Sequence, residues 1–195
     1  MEDEKSRTPD GWIRKGALLG LVGAAFFSLM WTSAVIADGH WVLGEETLSE
    51  LGGDRPGALF FNAGVIVEGI LAIFFSAALW RSMRPRGAFR IGPALFLAAS
   101  VALIAVGAFP ITTGLPHTVA SYAFFGLALL AVLAIAYPIW EHRAFGPLAG
   151  IASLAAAAIS VVFLLATNVP TAEAVAVICL LGLTVLLSSM MLARG

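Results

Sequence analysis

Glu68 is the one charged residue in an apolar stretch running from Ala58 to Trp80. At 1.5 Å per helical residue it lies about 15 Å beyond Ala58. That is the middle of a hydrocarbon layer about 30 Å thick, where an acidic side chain costs about 2.5–3.5 kcal/mol on insertion scales. Gly57, Phe61, Gly64 and Glu68 recur at helical spacing on one face, and the glycines let a neighbouring backbone come close. Two chemistries suit such a residue. It is a protonatable site for ion coupling or substrate binding, or an acid hydrogen-bonded to a nearby hydroxyl such as Ser28, Thr32 or Ser121.

His40 and His117 form a second group. With Asp38, Glu45, Glu46, Glu50 or Glu173 they offer nitrogen and oxygen donors of the kind an open zinc site uses. Either is also a candidate general base toward a lipid headgroup, with Glu50 as the companion acid. The spacing compels neither role, and a histidine at a helix end also serves as a hydrogen-bonding anchor. We expect no metal and no cofactor. Asn62, one turn into the same helix as Glu68, can satisfy loop carbonyls or amides at the helix entrance, and with Ser49 and Glu50 in the loop before it completes a polar patch. Catalytic elbow, zinc-helix, paired-cysteine and phosphate-loop motifs are absent.

The elements that carry these residues follow from composition. Of 195 residues, 60% are hydrophobic and 12% charged, with a mean hydropathy of +0.96. A soluble domain is about half apolar and about a quarter charged, so this chain is solvated by lipid. Six stretches reach spanning length: Gly16–Ala37, Ala58–Trp80, Ile91–Phe109, Thr118–Tyr137, Leu148–Ala166 and Ala172–Leu192. Pro110, Pro116, Pro147 and Pro170 fall at or just beyond their ends, and Pro138 terminates or kinks the fourth. The fold class is all-α: a single polytopic transmembrane domain over residues 1–195, built as a six-helix bundle. The first run exceeds a signal-peptide core and lacks a clear cleavage site, so it reads as a retained helix. Residues 1–15 form the N-terminal segment and residues 38–57 the longest loop. There Thr47-Leu48-Ser49-Glu50 fits a capping box and Gly52-Gly53 a stop, which predicts a short interfacial helix.

Basic residues orient the bundle. Lys5, Arg7, Arg14, Lys15, Arg81, Arg84, Arg86, Arg90, Arg143 and Arg194 fall on one side, and Arg55 alone on the other. The positive-inside rule puts the first side, with both termini, in the cytoplasm of a cell membrane. Arg81, Arg84, Arg86 and Arg90 are candidates for anionic-lipid contact, though a topogenic role alone accounts for them. Net charge of −1 excludes a nucleic-acid partner of the usual basic kind. Cys179, the single cysteine, leaves no intrachain disulfide.

Three segments carry a family likeness: Thr47-Leu48-Ser49-Glu50-Leu51-Gly52, then Ala58-Leu59-Phe60-Phe61-Asn62-Ala63-Gly64 continuing to Gly69, then Gly107-Ala108-Phe109-Pro110 followed by His117. In order and placement they resemble the archaeal and bacterial membrane proteins grouped as domain of unknown function 998. The resemblance implies a multi-pass helical fold and no activity, and Glu68 departs from its pattern, which has a small or apolar residue there. A weaker likeness is to the eukaryotic Frag1/DRAM/Sfk1 group, whose link to membrane-lipid homeostasis is an analogy. Three functions fit: a lipid-associated or regulatory membrane protein, a headgroup enzyme using His117 and an outer-loop acid, and a small proton-coupled carrier using Glu68. The expected partners are membrane lipids, and a homo-oligomer is compatible with the same surface.

Overall fold

Six long helices form where the apolar runs lie, because an apolar span in hydrocarbon must satisfy its backbone internally. The computed structural model describes residues 11–83, 90–143 and 145–193. The helices are α1 (Gly11–Asp38), α2 (Ala58–Ser82), α3 (Ile91–Ala108), α4 (Leu115–Glu141), α5 (Gly146–Ala166) and α6 (Val169–Leu192). Each is long and apolar enough to cross a membrane, and only 22–39% of each span is buried inside the protein, so most of its surface faces lipid. Arg84, Arg86, Arg194 and the segment before Gly11 lie outside the described residues.

Every expected span is present, and the differences are at the ends. Asn168 caps α6 by accepting from the Thr171 amide, so Pro170 sits inside the first turn, where its missing N–H is no loss. Pro147 opens α5 likewise. Pro138 does not end α4, which continues to Glu141. The helix loses one internal bond there, close enough to its end for the last turn to carry on. Gly114, at φ +70°, takes the left-handed conformation that admits the abrupt start of α4.

Each helix packs chiefly on its neighbours in the chain, and α6 returns to α1 to close a ring. Lipid supplies no hydrophobic drive between helices, so close approach of backbones matters most. Gly57 of α2 lies so near Ala34 of α1 that an added Cβ would fall 2.4 Å from the Ala34 carbonyl oxygen. Gly64 meets Met30 and Gly16 meets Ala78, while Gly69 meets Ser100 and Ile104 of α3. The expected α2 face therefore packs on α1, with Gly57, Gly64 and Glu68 all against it. Two buried clusters result. One surrounds Leu79, Ile135, Ile139 and Leu187 toward the termini. The other surrounds Phe27, Leu51, Phe61 and Val106 toward the 39–57 loop.

Gly57→Ala is expected to force α1 from α2 and destabilise the bundle by about 1–3 kcal/mol. Gly182→Ala, where nothing lies within 4 Å of an added Cβ, is expected to stay within about 0.5 kcal/mol of the parent. Unfolding titrations of the two variants in mixed micelles check the contrast.

Candidate functional site

The 39–57 loop folds back over one end of the bundle, here called the loop end. Leu48–Gly52 forms a short 3-10 helix with a complete capping box: the Thr47 side chain accepts from the Glu50 amide, and Glu50 accepts from the Thr47 amide at 2.5 Å. Leu48, Ser49 and Leu51 are buried. Glu173 of α6 holds this helix in place. One carboxylate oxygen accepts from the Leu48 amide at 3.0 Å and the other from the Ser49 hydroxyl at 2.8 Å. Asn62 donates to the Gly52 carbonyl at 2.9 Å, and Asn168 to the Gly44 carbonyl at 2.8 Å. Trp41 donates its indole N–H to Thr47 at 2.9 Å.

Arg55 is an internal brace for the same loop. It pairs with Asp38, at the end of α1, and with Glu46. Asp38 also accepts from the Trp41 amide at 2.8 Å. The hydrogen bond from Arg55 holds the Glu46 carboxyl below the usual carboxylate range, and the same bond raises the Arg55 guanidinium.

His117, buried in the first turn of α4, uses both ring nitrogens: Nδ1 lies 2.8 Å from the Phe109 carbonyl and Nε2 3.2 Å from the Ser121 hydroxyl. It ties the start of α4 to the end of α3. His40 is exposed, its amide directed to Asp38. Among the described residues no three His, Cys, Asp or Glu side chains gather as metal ligands would. Arg81 lies in the last turn of α2 and Arg90 stacks its guanidinium 5.6 Å from the Trp80 ring centre.

Two hollows open beneath the loop helix. An interior cavity of about 90 Å³ lies within the ring, walled by Phe27, Phe61, Phe75, Phe96, Phe124 and Phe125, with Glu68 and Glu173 on its surface. A larger hollow of about 550 Å³ runs between α4, α5 and α6. Its rim residues Tyr122, Leu164 and Val169 are exposed, so it is a groove open to the side. Thr47, Ser49, His117, Ser121 and Glu173 stand at its loop end, and Gly126, Leu129, Val132, Ala157 and Val161 line its depth. Ser49, Phe125 and Glu173 border both hollows. Of the expected patch, Ser49 and His117 therefore share the groove and Glu68 the cavity beside it. Glu50 and Asn62 are occupied in holding the loop, and His40 stands apart.

The expected hydroxyl partners of Glu68 are engaged elsewhere. Ser28 donates to Ala24, Thr32 to Ser28, and Ser121 contacts His117. A helical serine or threonine finds the carbonyl one turn back more readily than a group on another helix. Glu68 instead rests its carboxyl against Gly23 of α1, where an added Cβ would fall 2.4 Å from Oε2. That oxygen is buried with no hydrogen-bond partner. Glu173, the residue that joins loop and α6, stood only among possible metal ligands in the sequence. An acid just past the first turn of an apolar helix is its one signal in the sequence.

A family model described as "Protein of unknown function (DUF998)" matches residues 21–193. The chain belongs to this family. Loop helix, Asn62 anchor and His117 anchor are thus features of a DUF998 protein, and the match does not extend to the eukaryotic six-helix group. No curated protein and no solved structure matches the chain.

Removing the Glu173 carboxylate by Glu173→Ala leaves the buried Leu48 amide without an acceptor and is expected to cost about 1–3 kcal/mol. A thermal midpoint measured in detergent checks it. Because the Glu46 carboxyl is depressed in the folded state, its anchoring is fully present above its ordinary value of 4.5 and is lost as pH falls through the lower folded value. Hydrogen exchange of the 39–57 amides, corrected for intrinsic rate, is expected to quicken only below about pH 4.5, and Arg55→Ala to abolish that dependence.

Proposed function

We propose that this DUF998 protein binds a membrane amphiphile, taking one apolar chain into the groove between α4, α5 and α6 and the polar head at its loop end. The form of the groove carries this reading. Its lining runs along α4 from His117 to Val132, about 22 Å at helical rise, and along α6 from Val169 to Leu180, about 16 Å. Half of a bilayer's hydrocarbon is about 15 Å deep, so the groove has the reach of one leaflet. Small residues on its floor, Gly126, Ala156, Ala157 and Ala176, leave room for methylenes. Each buried methylene contributes roughly 0.8 kcal/mol relative to water but far less relative to lipid. Selectivity must therefore come from the mouth, where Thr47, Ser49, Thr118 and Ser121 present hydroxyl oxygens to a head.

The basic residues support an outer-leaflet ligand. Among the described residues Arg14, Lys15, Arg81, Arg90 and Arg143 lie at the end away from the loop and Arg55 in the loop, a bias that supports an outer loop end and cytoplasmic termini in a cell membrane. His117 acts here as a structural anchor with one edge toward the ligand, since both ring nitrogens are already committed. A lipid-associated role needs no catalytic group.

Photolabelling tests the reading. A lysophospholipid carrying a diazirine midway along its chain is expected to label peptides of α4 between His117 and Val132. Nothing lies within 4 Å of a Cβ added at Gly126 or Gly182, so both tolerate tryptophan. Gly126→Trp fills the groove and is expected to cut labelling by about tenfold, while Gly182→Trp, outside it, leaves labelling unchanged. Equal labelling of the two variants would discard the groove as the site.

A further inference from the structure

We propose that the interior cavity is a binding site for a small organic cation, a substituted ammonium group, with Glu68 as its counter-ion. The site is separate from the groove and does not depend on the reading given for it. Glu68 is 7% exposed, and its Oε2 has no partner. In a low-dielectric interior an unpaired polar group is costly, and a donor brought to the Glu68 carboxyl would offset that cost. Among the described residues no Lys, Arg or His lines the cavity. The second carboxylate on its wall, Glu173, is already filled by the Leu48 amide and the Ser49 hydroxyl. The Ser100 hydroxyl, also on the wall, donates to Phe96. Glu68 is thus the one acid of the cavity wall to which no donor of the protein is directed.

The walls select the kind of donor. Phenylalanines come from α1, α2, α3 and α4, and about 90 Å³ is open between them. A Ca2+ or Mg2+ ion stripped of its water takes about six or more oxygen ligands, and the wall offers only Glu68, the already engaged Glu173 and a few hydroxyls. Phenyl faces and one carboxylate are instead the chemistry that recognises an alkylated ammonium, whose charge is spread over methyl groups and weakly hydrated. Gly23 is part of the device, since a side chain at that position would collide with the carboxyl. Ser49, Phe125, Ala128, Glu173 and Leu180 line both the cavity and the groove, so the two lie side by side. The cation is therefore either free or the head of a single-chain amine whose tail remains in the groove.

Equilibrium dialysis on the full chain in detergent tests this with tetramethylammonium and its uncharged analogue 3,3-dimethylbutanol. The parent protein is expected to bind the cation at least about tenfold more tightly than the alcohol, and Glu68→Gln to erase that preference. Equal binding of cation and alcohol, or an unchanged preference in Glu68→Gln, overturns the proposal. Should Glu68→Gln fail to fold, the parent alone decides. Dicyclohexylcarbodiimide, an apolar carboxyl reagent, is expected to modify Glu68 as read by peptide mass, and tetramethylammonium to slow that reaction severalfold. Modification at an unchanged rate overturns the proposal too. Decyltrimethylammonium below its micellar concentration separates the two sources. If Gly126→Trp weakens its binding, the natural ligand is an amphiphile. If Gly126→Trp has no effect while Glu68→Gln does, the ligand is a free cation, and the groove reading is decided by its own photolabelling test.

Discussion

One carboxylate at the edge of the membrane holds the loop end of this protein together. Glu173 receives two donors from a short helix that would otherwise bring a buried backbone amide and a buried hydroxyl to the rim of the hydrocarbon without partners. Unsatisfied backbone groups cost several kcal/mol in lipid, so the 39–57 loop can lie over the bundle only because α6 brings an acceptor to it. The same contact gives α6 a fixed position relative to the loop, and through it to α1 and α2. Asn62 and Asn168 repeat the device at the loop's two flanks, each spending a side-chain amide on a loop carbonyl.

Beneath that lid the ring is uneven. On the α1–α2–α3 side, glycines bring backbones into contact, and packing of this kind is what holds helices together when lipid is as apolar as their side chains. On the α4–α5–α6 side Gly150 of α5 still packs on Ala136 and Trp140 of α4, but the glycines at 126 and 182 face open space. The result is a tight half that positions Glu68 against α1 and a loose half that parts into a groove.

Several parts of this were legible in the chain. The six spans were, because continuous apolar runs of spanning length have no stable alternative in lipid. So was the capping box at Thr47–Glu50, whose partners are three residues apart. The shared face of Gly57, Gly64 and Glu68 followed from helical periodicity, and the anchoring of Asn62 and His117 at helix ends from their positions. What failed was local in another way. Pro138, expected to terminate or kink α4, does not terminate it, and Ser28, Thr32 and Ser121, expected near Glu68, each have a nearer acceptor.

By itself the sequence determined that this protein is a six-span helical bundle, where the spans begin to within a few residues, and that an acid lies halfway through the second. These are consequences of hydropathy and of interactions closed within a turn or two. Which helices touch was decided only in three dimensions. The partnership of Glu173 with Ser49 joins residues 124 apart in the chain, and no periodicity encodes a contact of that range. The isolation of Glu68 is likewise tertiary. An empty carboxyl is defined by what every neighbouring helix fails to bring to it, and that is a property of the packed ring rather than of any one segment.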